Sequence, residues 1–342
     1  MKRLRTIRTT GFHPVIQNRG LEARGASAML IFAIMGLLTR CALAHEVESS
    51  ESLPHNYHEL WRTWAWEPGT VIPLALSAWL YAQGLWRTWR AAGYGHGIKP
   101  WQAASFAAGW IWLVIALISP LHPWGQVLFW PHMAQHEILM LVAAPLLVLG
   151  QPMAVFLRAL PARWSRTLAS FGNAKPWLAF WRWITLPLAA WAIHGAALWI
   201  WHIPSLFEAT LHSEFIHALQ HLSFLLSALL FWWAVIHGRQ RKLAYGMAIL
   251  YMFTTAMHSG LLGAMLTLAD VPWYRTYAQT APQWGVSALE DQQLGGLIMW
   301  VPAGLVYTAV ALALFAAWLA ESERRAQRND RLTASLLGHS PE

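Results

Sequence analysis

The chain has 342 residues, of which 56% are hydrophobic and only 12% are charged. A soluble globular domain carries charge on about a quarter of its residues, so this composition indicates a membrane protein. The formal net charge of +8 could suggest a nucleic-acid partner. However, the basic residues stand in short clusters between apolar runs, which is typical of membrane topology, and no nucleic-acid partner is expected.

Residues 1–44 are predicted to form a signal peptide. Basic residues occur from Lys2 to Arg24, and an apolar segment follows over residues 26–38. Ala42-Leu43-Ala44 then provides the small residues of a cleavage site. An uncleaved anchor is the alternative interpretation. Cleavage here would remove Cys41, the only cysteine, so a metal site in the mature chain would use histidine, methionine or carboxylate ligands.

Residues 69–320 are predicted to form an all-α, polytopic membrane bundle of about seven transmembrane helices. The apolar runs approach or exceed the roughly 18–20 residues that a helix needs to cross a bilayer. An outer N-terminal segment, residues 45–68, precedes the bundle, and a cytoplasmic tail, residues 321–342, follows it. The predicted spans are residues 69–86, 101–119, 136–157, 183–201, 217–237, 243–268 and 292–319.

The distribution of basic residues predicts the orientation of this bundle. In the mature chain, the segments assigned to the outside contain only Arg62 and Arg275 as basic residues. Cytoplasmic loops of membrane proteins are enriched in Lys and Arg. We therefore expect the bundle to lie in contact with lipid, with its N-terminus outside and its C-terminus in the cytoplasm. The inside segments carry Arg87, Arg90, Lys99, Arg158, Arg163, Arg166, Lys175, Arg182, Arg239, Arg241, Lys242, Arg324, Arg325, Arg328 and Arg331.

One histidine pattern occurs twice on the outer side. His132 and His136 belong to an H-x-x-Q-H motif at the start of the third span, and His217 and His221 belong to the same motif at the start of the fifth. Residues four apart share one face of a helix. If the two faces meet, they offer four imidazoles to one ion or to a close pair of ions. Interfacial histidines that bind headgroups are the alternative.

Four further residues are candidate metal ligands. Met133 lies within the first motif, and its thioether, with imidazoles and no thiolate, favours Cu(I), although Cu(II) and zinc stay open. Core packing is the alternative role for this methionine. His202 ends the fourth span and could equally be a plain interface residue. His258 lies inside the sixth span, where an ionisable side chain is a functional candidate, and a hydrogen bond to a neighbouring helix explains it equally well. Asp291 precedes Gly295-Gly296, a pair that allows close helix approach. Glu290, in contrast, reads as part of a capping box.

Three segments resemble the signature of the CtaG-type cytochrome c oxidase assembly factors. They run from His132 to Pro152, from His217 to Trp233 and from Leu289 to Trp300, and the resemblance covers about residues 60–320. It implies a multi-span protein of the bacterial inner membrane that helps to assemble a haem-copper oxidase. The partners implied are oxidase subunits and a periplasmic copper donor. The family motif carries over to His132, Met133, His136, His217 and His221.

The predicted function is therefore an assembly factor, and not an enzyme, that binds and delivers copper at the non-cytoplasmic face. A membrane b-type cytochrome is one alternative, with His194 and His258 as axial ligands, although the outer side has few basic residues to hold propionates. A copper transporter is another, because it would use the same ligands. An intramembrane metalloprotease is not expected, since Met140 replaces the second histidine of an H-E-x-x-H motif.

Overall fold

A computed structural model of the protein describes residues 61–238 and 245–337. Every regular element within these ranges is helical, as the sequence predicts. The predicted signal peptide and most of the outer N-terminal segment lie outside the described residues, as do Arg239, Arg241 and Lys242 and the end of the predicted tail. The helices, in chain order, are α1 (Pro68–Ala92), α2 (Pro100–Leu117), α3 (Leu121–Val127), α4 (Phe129–Glu137), α5 (Ala144–Leu149), α6 (Pro152–Ala159), α7 (Ala162–Gly172), α8 (Lys175–Ile184), α9 (Pro187–Trp201), α10 (Pro204–His212), α11 (Glu214–Gly238), α12 (Tyr245–Thr267), α13 (Arg275–Thr280) and α14 (Ala288–Leu337).

Five helical segments in the described ranges are long and apolar enough to cross a membrane. A sixth is added if α8 and α9 count as one span, although they meet at an angle of 69°. This is fewer than the seven predicted. The first predicted span, 69–86, lies in the 25-residue helix α1, whose Trp, Gln and Arg residues lower its mean hydropathy. The five segments are Pro100–Val127, Phe129–Leu149, Glu214–His237, Tyr245–Thr267 and Ala288–Thr333.

The third span differs from the prediction in both its start and its end. It begins at Phe129 and ends at Leu149, because the histidine motif itself forms the first turns of the helix. Gln151 then adopts a left-handed conformation with φ of 50°, and Pro152 starts the separate helix α6. Residues 152–157, predicted as the end of this span, therefore belong to a second helix.

A π-helical segment, Ile138–Ala143, joins α4 to α5. The cause is local, because Pro145 has no N–H group and cannot continue the ordinary hydrogen-bond ladder. The Ala144 N–H donates to the Leu139 carbonyl, which leaves the Met140 carbonyl without a helical donor. The Trp232 indole on α11 donates to that carbonyl at 2.8 Å. The irregular turn is thereby tied to the helix that carries the second histidine motif.

Helices α12 and α14 pack closely against each other. A Cβ atom at Gly296 would lie 2.7 Å from the carbonyl oxygen of Gly263, and one at Gly263 would lie 2.9 Å from that of Gly296. The two backbones therefore touch where both helices have glycine, as expected for the Gly295-Gly296 pair. Gly295 lies against the Phe129 ring, so the same pair also positions α4 beside α14.

Candidate metal centre

Six histidines from four separate segments converge at one end of the bundle. We call them the histidine cluster: His122 on α3, His132 and His136 on α4, His202 directly after α9, and His217 and His221 on α11. Each H-x-x-Q-H motif occupies the first turns of its helix, so both of its imidazoles lie on one helical face. The predicted meeting of these two faces is confirmed. Ring centroids are 5.0 Å apart for His132 and His217 and 5.3 Å apart for His136 and His221.

The cluster contains two groups of three imidazoles that each have the spacing of a metal site. His122, His217 and His221 form one group, which we call the outer trio, and His132, His136 and His221 form the other, which we call the inner trio. Within each trio the ligand atoms lie within 4.8 Å of one another. Bonds of about 2 Å from each nitrogen to a central ion require only small adjustments of the rings.

Several nitrogens in the cluster are buried and have no hydrogen-bond partner among the described residues. They are both ring nitrogens of His136 and the Nε2 atoms of His202, His217 and His221. A buried polar group without a partner costs free energy, of the order of 1–3 kcal/mol in proteins. A cation that accepts these lone pairs would remove that cost. The donor set, all imidazole and without thiolate, fits copper or zinc.

Neighbouring groups orient the rings. The Nδ1 atom of His132 lies 3.2 Å from both the Gly125 carbonyl and the Tyr277 hydroxyl, and that hydroxyl donates to the same carbonyl at 2.6 Å. A carbonyl only accepts, so Nδ1 of His132 carries the proton. In a neutral ring Nε2 then keeps the lone pair, which requires the Gln220 amide, whose Oε1 is placed 3.2 Å away, to turn its NH2 group toward Nε2. Such partners of a metal-binding histidine select its tautomer.

His202 is oriented in the same way. Its Nδ1 donates to the Leu198 carbonyl at 2.7 Å, so its Nε2 keeps the lone pair. Burial lowers the pKa of His202 to about 4, so this imidazole is neutral at physiological pH, and neutral imidazole is the form that ligates metals. Its ring centroid lies 6.3 Å from that of His136. His202 therefore belongs to the edge of the cluster.

The rim of the cluster is acidic rather than basic. Glu67 pairs with His122, with 3.8 Å between Oε1 and Nε2, and Glu214 opens helix α11 one turn before His217. Among the described residues, Arg62 and Arg275 are the only basic side chains in the segments predicted to lie outside. Attraction of a cation is therefore expected at this end of the bundle.

Comparison with known proteins places the chain in a family. Residues 79–321 match the family described as cytochrome c oxidase caa3 assembly factor, Caa3_CtaG. The chain belongs to this family. Membership confirms the resemblance that the three sequence motifs suggest. The matched region contains every residue of the histidine cluster.

Curated proteins from mycobacteria are also similar to this chain. A protein of Mycobacterium bovis is 29% identical over 64% of this chain and 34% of its own length. One of Mycobacterium leprae is 26% identical over 89% of this chain and 47% of its own length. Both relatives are described as uncharacterized. The chain thus spans less than half the length of these relatives. No solved structure matches significantly.

Asp291 has a different role from the metal ligand that was predicted. Its Oδ2 accepts the Phe129 N–H at 2.7 Å, and its Oδ1 accepts the Trp130 N–H at 3.0 Å. Both oxygens therefore cap the N-terminus of α4, where unpaired N–H groups and the helix dipole favour a carboxylate. Glu290 caps its own helix through Ser287, as predicted.

Met133 and His258 also lie apart from the two trios. Met133 is fully buried and packs against Gly295 on α14, because it is one position away from the His132 face of α4. The His258 ring packs against Trp191 and Gly195 between α9 and α12, and neither of its nitrogens has a hydrogen-bond partner within the described ranges. His194 donates to or accepts from Ser227 at 3.1 Å, which agrees with a packing role.

The sequence did not point to three residues that contribute to the cluster. His122 enters the outer trio from the short helix α3, and Gln220 and Tyr277 contact His132. The glutamine of each H-x-x-Q-H motif was a usable signal, because Gln135 also contacts His122, at 3.3 Å. Tyr277 had no local signal, since it reaches His132 from a helix 145 residues later in the chain.

Proposed function

We propose that this protein holds a copper ion in the histidine cluster at the non-cytoplasmic face of the bacterial cell membrane and supplies it to a haem-copper oxidase during assembly. One observation carries the proposal: buried imidazole nitrogens without partners, from separate helices, converge within ligand distance of one another. Family membership supports the link to oxidase assembly. Oxidase subunits are then the receiving partners, and a periplasmic copper donor is the source.

Copper is favoured over zinc by the link to oxidase assembly and by the aromatic surround of the cluster, because imidazole ligands alone suit either ion. The His136 ring centroid lies 4.6 Å from that of Phe224, and the His132 centroid lies 4.9 Å from that of Phe207. A three-imidazole site closed by apolar rings suits a soft, monovalent ion better than it suits an ion that keeps bound water. The role is that of a carrier and not of an enzyme, since the ion is the cargo and the metalloprotease motif is incomplete at Met140.

The test compares paired histidine variants with a matched control. Purified full-length protein should bind copper, whereas His132→Ala with His136→Ala, or His217→Ala with His221→Ala, should bind much less. His212→Ala serves as the control, because His212 lies at the same end and its side chain is 70% exposed. Metal content is measured by elemental analysis after gel filtration. Equal copper in the double variants and in the control would refute the proposal.

A cellular measurement tests the delivery step. In cells grown under copper limitation, both double variants should lower the copper content of the oxidase more than its haem content. Added copper should partly restore oxidase activity, because mass action offsets a weakened site. Normal oxidase activity in cells that carry either double variant would show that the cluster does not serve copper delivery.

A further inference from the structure

The two trios of the histidine cluster share a single ligand, His221. A neutral imidazole has one nitrogen with a free lone pair, while its other nitrogen carries a proton. His221 therefore cannot bind an ion in each trio at the same time while it stays neutral. The trios are therefore alternative positions for one ion. They differ in how deeply their ligands are buried in the bundle.

We propose that the outer and inner trios are two successive positions of one copper ion, and that His221 stays bound while the ion moves between them. This inference rests on the proposed function, because it assumes that copper is the cargo. It adds an order of events: capture by His122, His217 and His221, followed by retention at His132, His136 and His221.

The outer trio is the accessible one. The His122 side chain is 12% exposed and is paired with Glu67, whose side chain is 44% exposed. The His122 and His217 rings are stacked with centroids 5.1 Å apart. A carboxylate beside a partly exposed imidazole draws a cation to this position before it meets the buried ligands.

The inner trio is closed. His132 is fully buried and His136 is 1% exposed, and the Phe207 and Phe224 rings lie against them. Because both nitrogens of His136 lack a partner in the described part of the chain, an ion gains most from reaching this ring. Retention is therefore expected here rather than at the outer trio.

The transfer is a ligand exchange and needs no co-reactant. Copper stays Cu(I), the bonds to His122 and His217 break, and bonds to His132 and His136 form. His132 reacts as the neutral ring with its proton on Nδ1, and the Gln220 side chain, whose Oε1 lies 3.2 Å from Nε2, turns away as that nitrogen binds the ion. No electron is transferred and no proton leaves the site, since Nδ1 of His132 keeps its proton toward Gly125 and Tyr277.

The experiment uses the full-length protein in detergent, with Cu(I) as the probe and Ag(I) as a replicate that does not change oxidation state. Stoichiometry, the rate of uptake from a coloured Cu(I) chelator, and nitrogen coordination by X-ray absorption are measured. The variants are His122→Asn and His217→Asn for the outer trio, His136→Asn for the inner trio, and His221→Asn for both. His212→Asn is the control.

The unmodified protein should bind one ion with three nitrogen ligands. The two outer variants should still bind one ion, but uptake should be about tenfold slower, as expected if a capture step becomes rate-limiting. His136→Asn should retain one ion with affinity weaker by about ten- to hundredfold, and His221→Asn should lose binding at both positions.

Several results would overturn the inference. Two ions per chain would make the trios independent sites, and uptake by His122→Asn and His217→Asn at the control rate would remove the capture step. Loss of all binding in His136→Asn would leave only one position. In each of these cases the proposal that the cluster binds copper would still hold. If the unmodified protein binds neither Cu(I) nor Ag(I), the proposed function itself fails, and the two-position inference fails with it.

Discussion

At the scale of single residues, the cluster depends on groups that never touch an ion. The hydroxyl of Tyr277 contacts both Nδ1 of His132 and the Gly125 carbonyl, and burial raises its pKa, so it keeps its proton. Loss of such a partner typically weakens a metal site by about ten- to hundredfold. We expect Tyr277→Phe to lower copper affinity by about tenfold, the smaller of these values, because the Gly125 carbonyl still orients the ring.

Tyr274 offers a matched control for this prediction. It is buried on the same segment, but its hydroxyl donates to the backbone carbonyl of His202 at 3.1 Å and not to an imidazole. Copper titration against a competing chelator should therefore separate Tyr277→Phe from Tyr274→Phe. Identical affinities in the two variants would show that the hydroxyl does not select the tautomer of His132.

A second residue-scale prediction follows from the capping role of Asp291. Asp291→Ala should lower the free energy of unfolding by about 1 kcal/mol, the usual cost of losing a helix cap, and should leave copper stoichiometry unchanged. Glu290→Ala is the comparison, since Glu290 is exposed and caps only its own helix. Thermal unfolding in detergent and metal analysis are measured on the same samples. Loss of copper from Asp291→Ala with unchanged stability would restore Asp291 as a ligand.

At the scale of helices, the contact between α12 and α14 should be sensitive to added volume. Gly296→Val places methyl groups where the Gly263 carbonyl already lies 2.7 Å from a Cβ position. Overpacking of this kind costs about 1–3 kcal/mol. Gly304→Val is the control, because nothing lies within 4 Å of its Cβ position. The midpoint of thermal unfolding should fall for Gly296→Val relative to Gly304→Val, and equal midpoints would contradict the close crossing.

The sequence predicted the helical character of the bundle and the pairing of the two histidine motifs, because both follow from local periodicity. It misplaced the start of the third span, since His132, Gln135 and His136 lower the hydropathy of turns that are nevertheless helical. It also missed the break at Gln151 and the bend between α8 and α9. Asp291 was misread for a different reason: its partners, Phe129 and Trp130, lie more than 160 residues earlier in the chain, and no local pattern reports such a contact.

At the scale of the whole molecule, the two ends of the bundle differ in chemistry. The histidine cluster and its acidic rim lie at one end, together with Arg62 and Arg275. The opposite end carries Arg87, whose guanidinium donates to the carbonyls of Arg158 and Leu160. Helix α14 continues past the bundle into an exposed segment with Arg324, Arg325, Arg328 and Arg331. From the positive-inside tendency we expect the cluster to lie on the non-cytoplasmic side.

This orientation can be tested with single cysteines in a background where Cys41 is replaced by serine. Asp270→Cys, exposed between α12 and α13, should react with a membrane-impermeant maleimide in intact spheroplasts. Arg328→Cys, exposed on the extended part of α14, should react only after the membrane is permeabilised. The two positions lie on one continuous stretch of chain, 58 residues apart by number, and are separated by the apolar part of α14. The reverse labelling pattern would put the cluster in the cytoplasm, where copper could not be handed to an oxidase from the outer face.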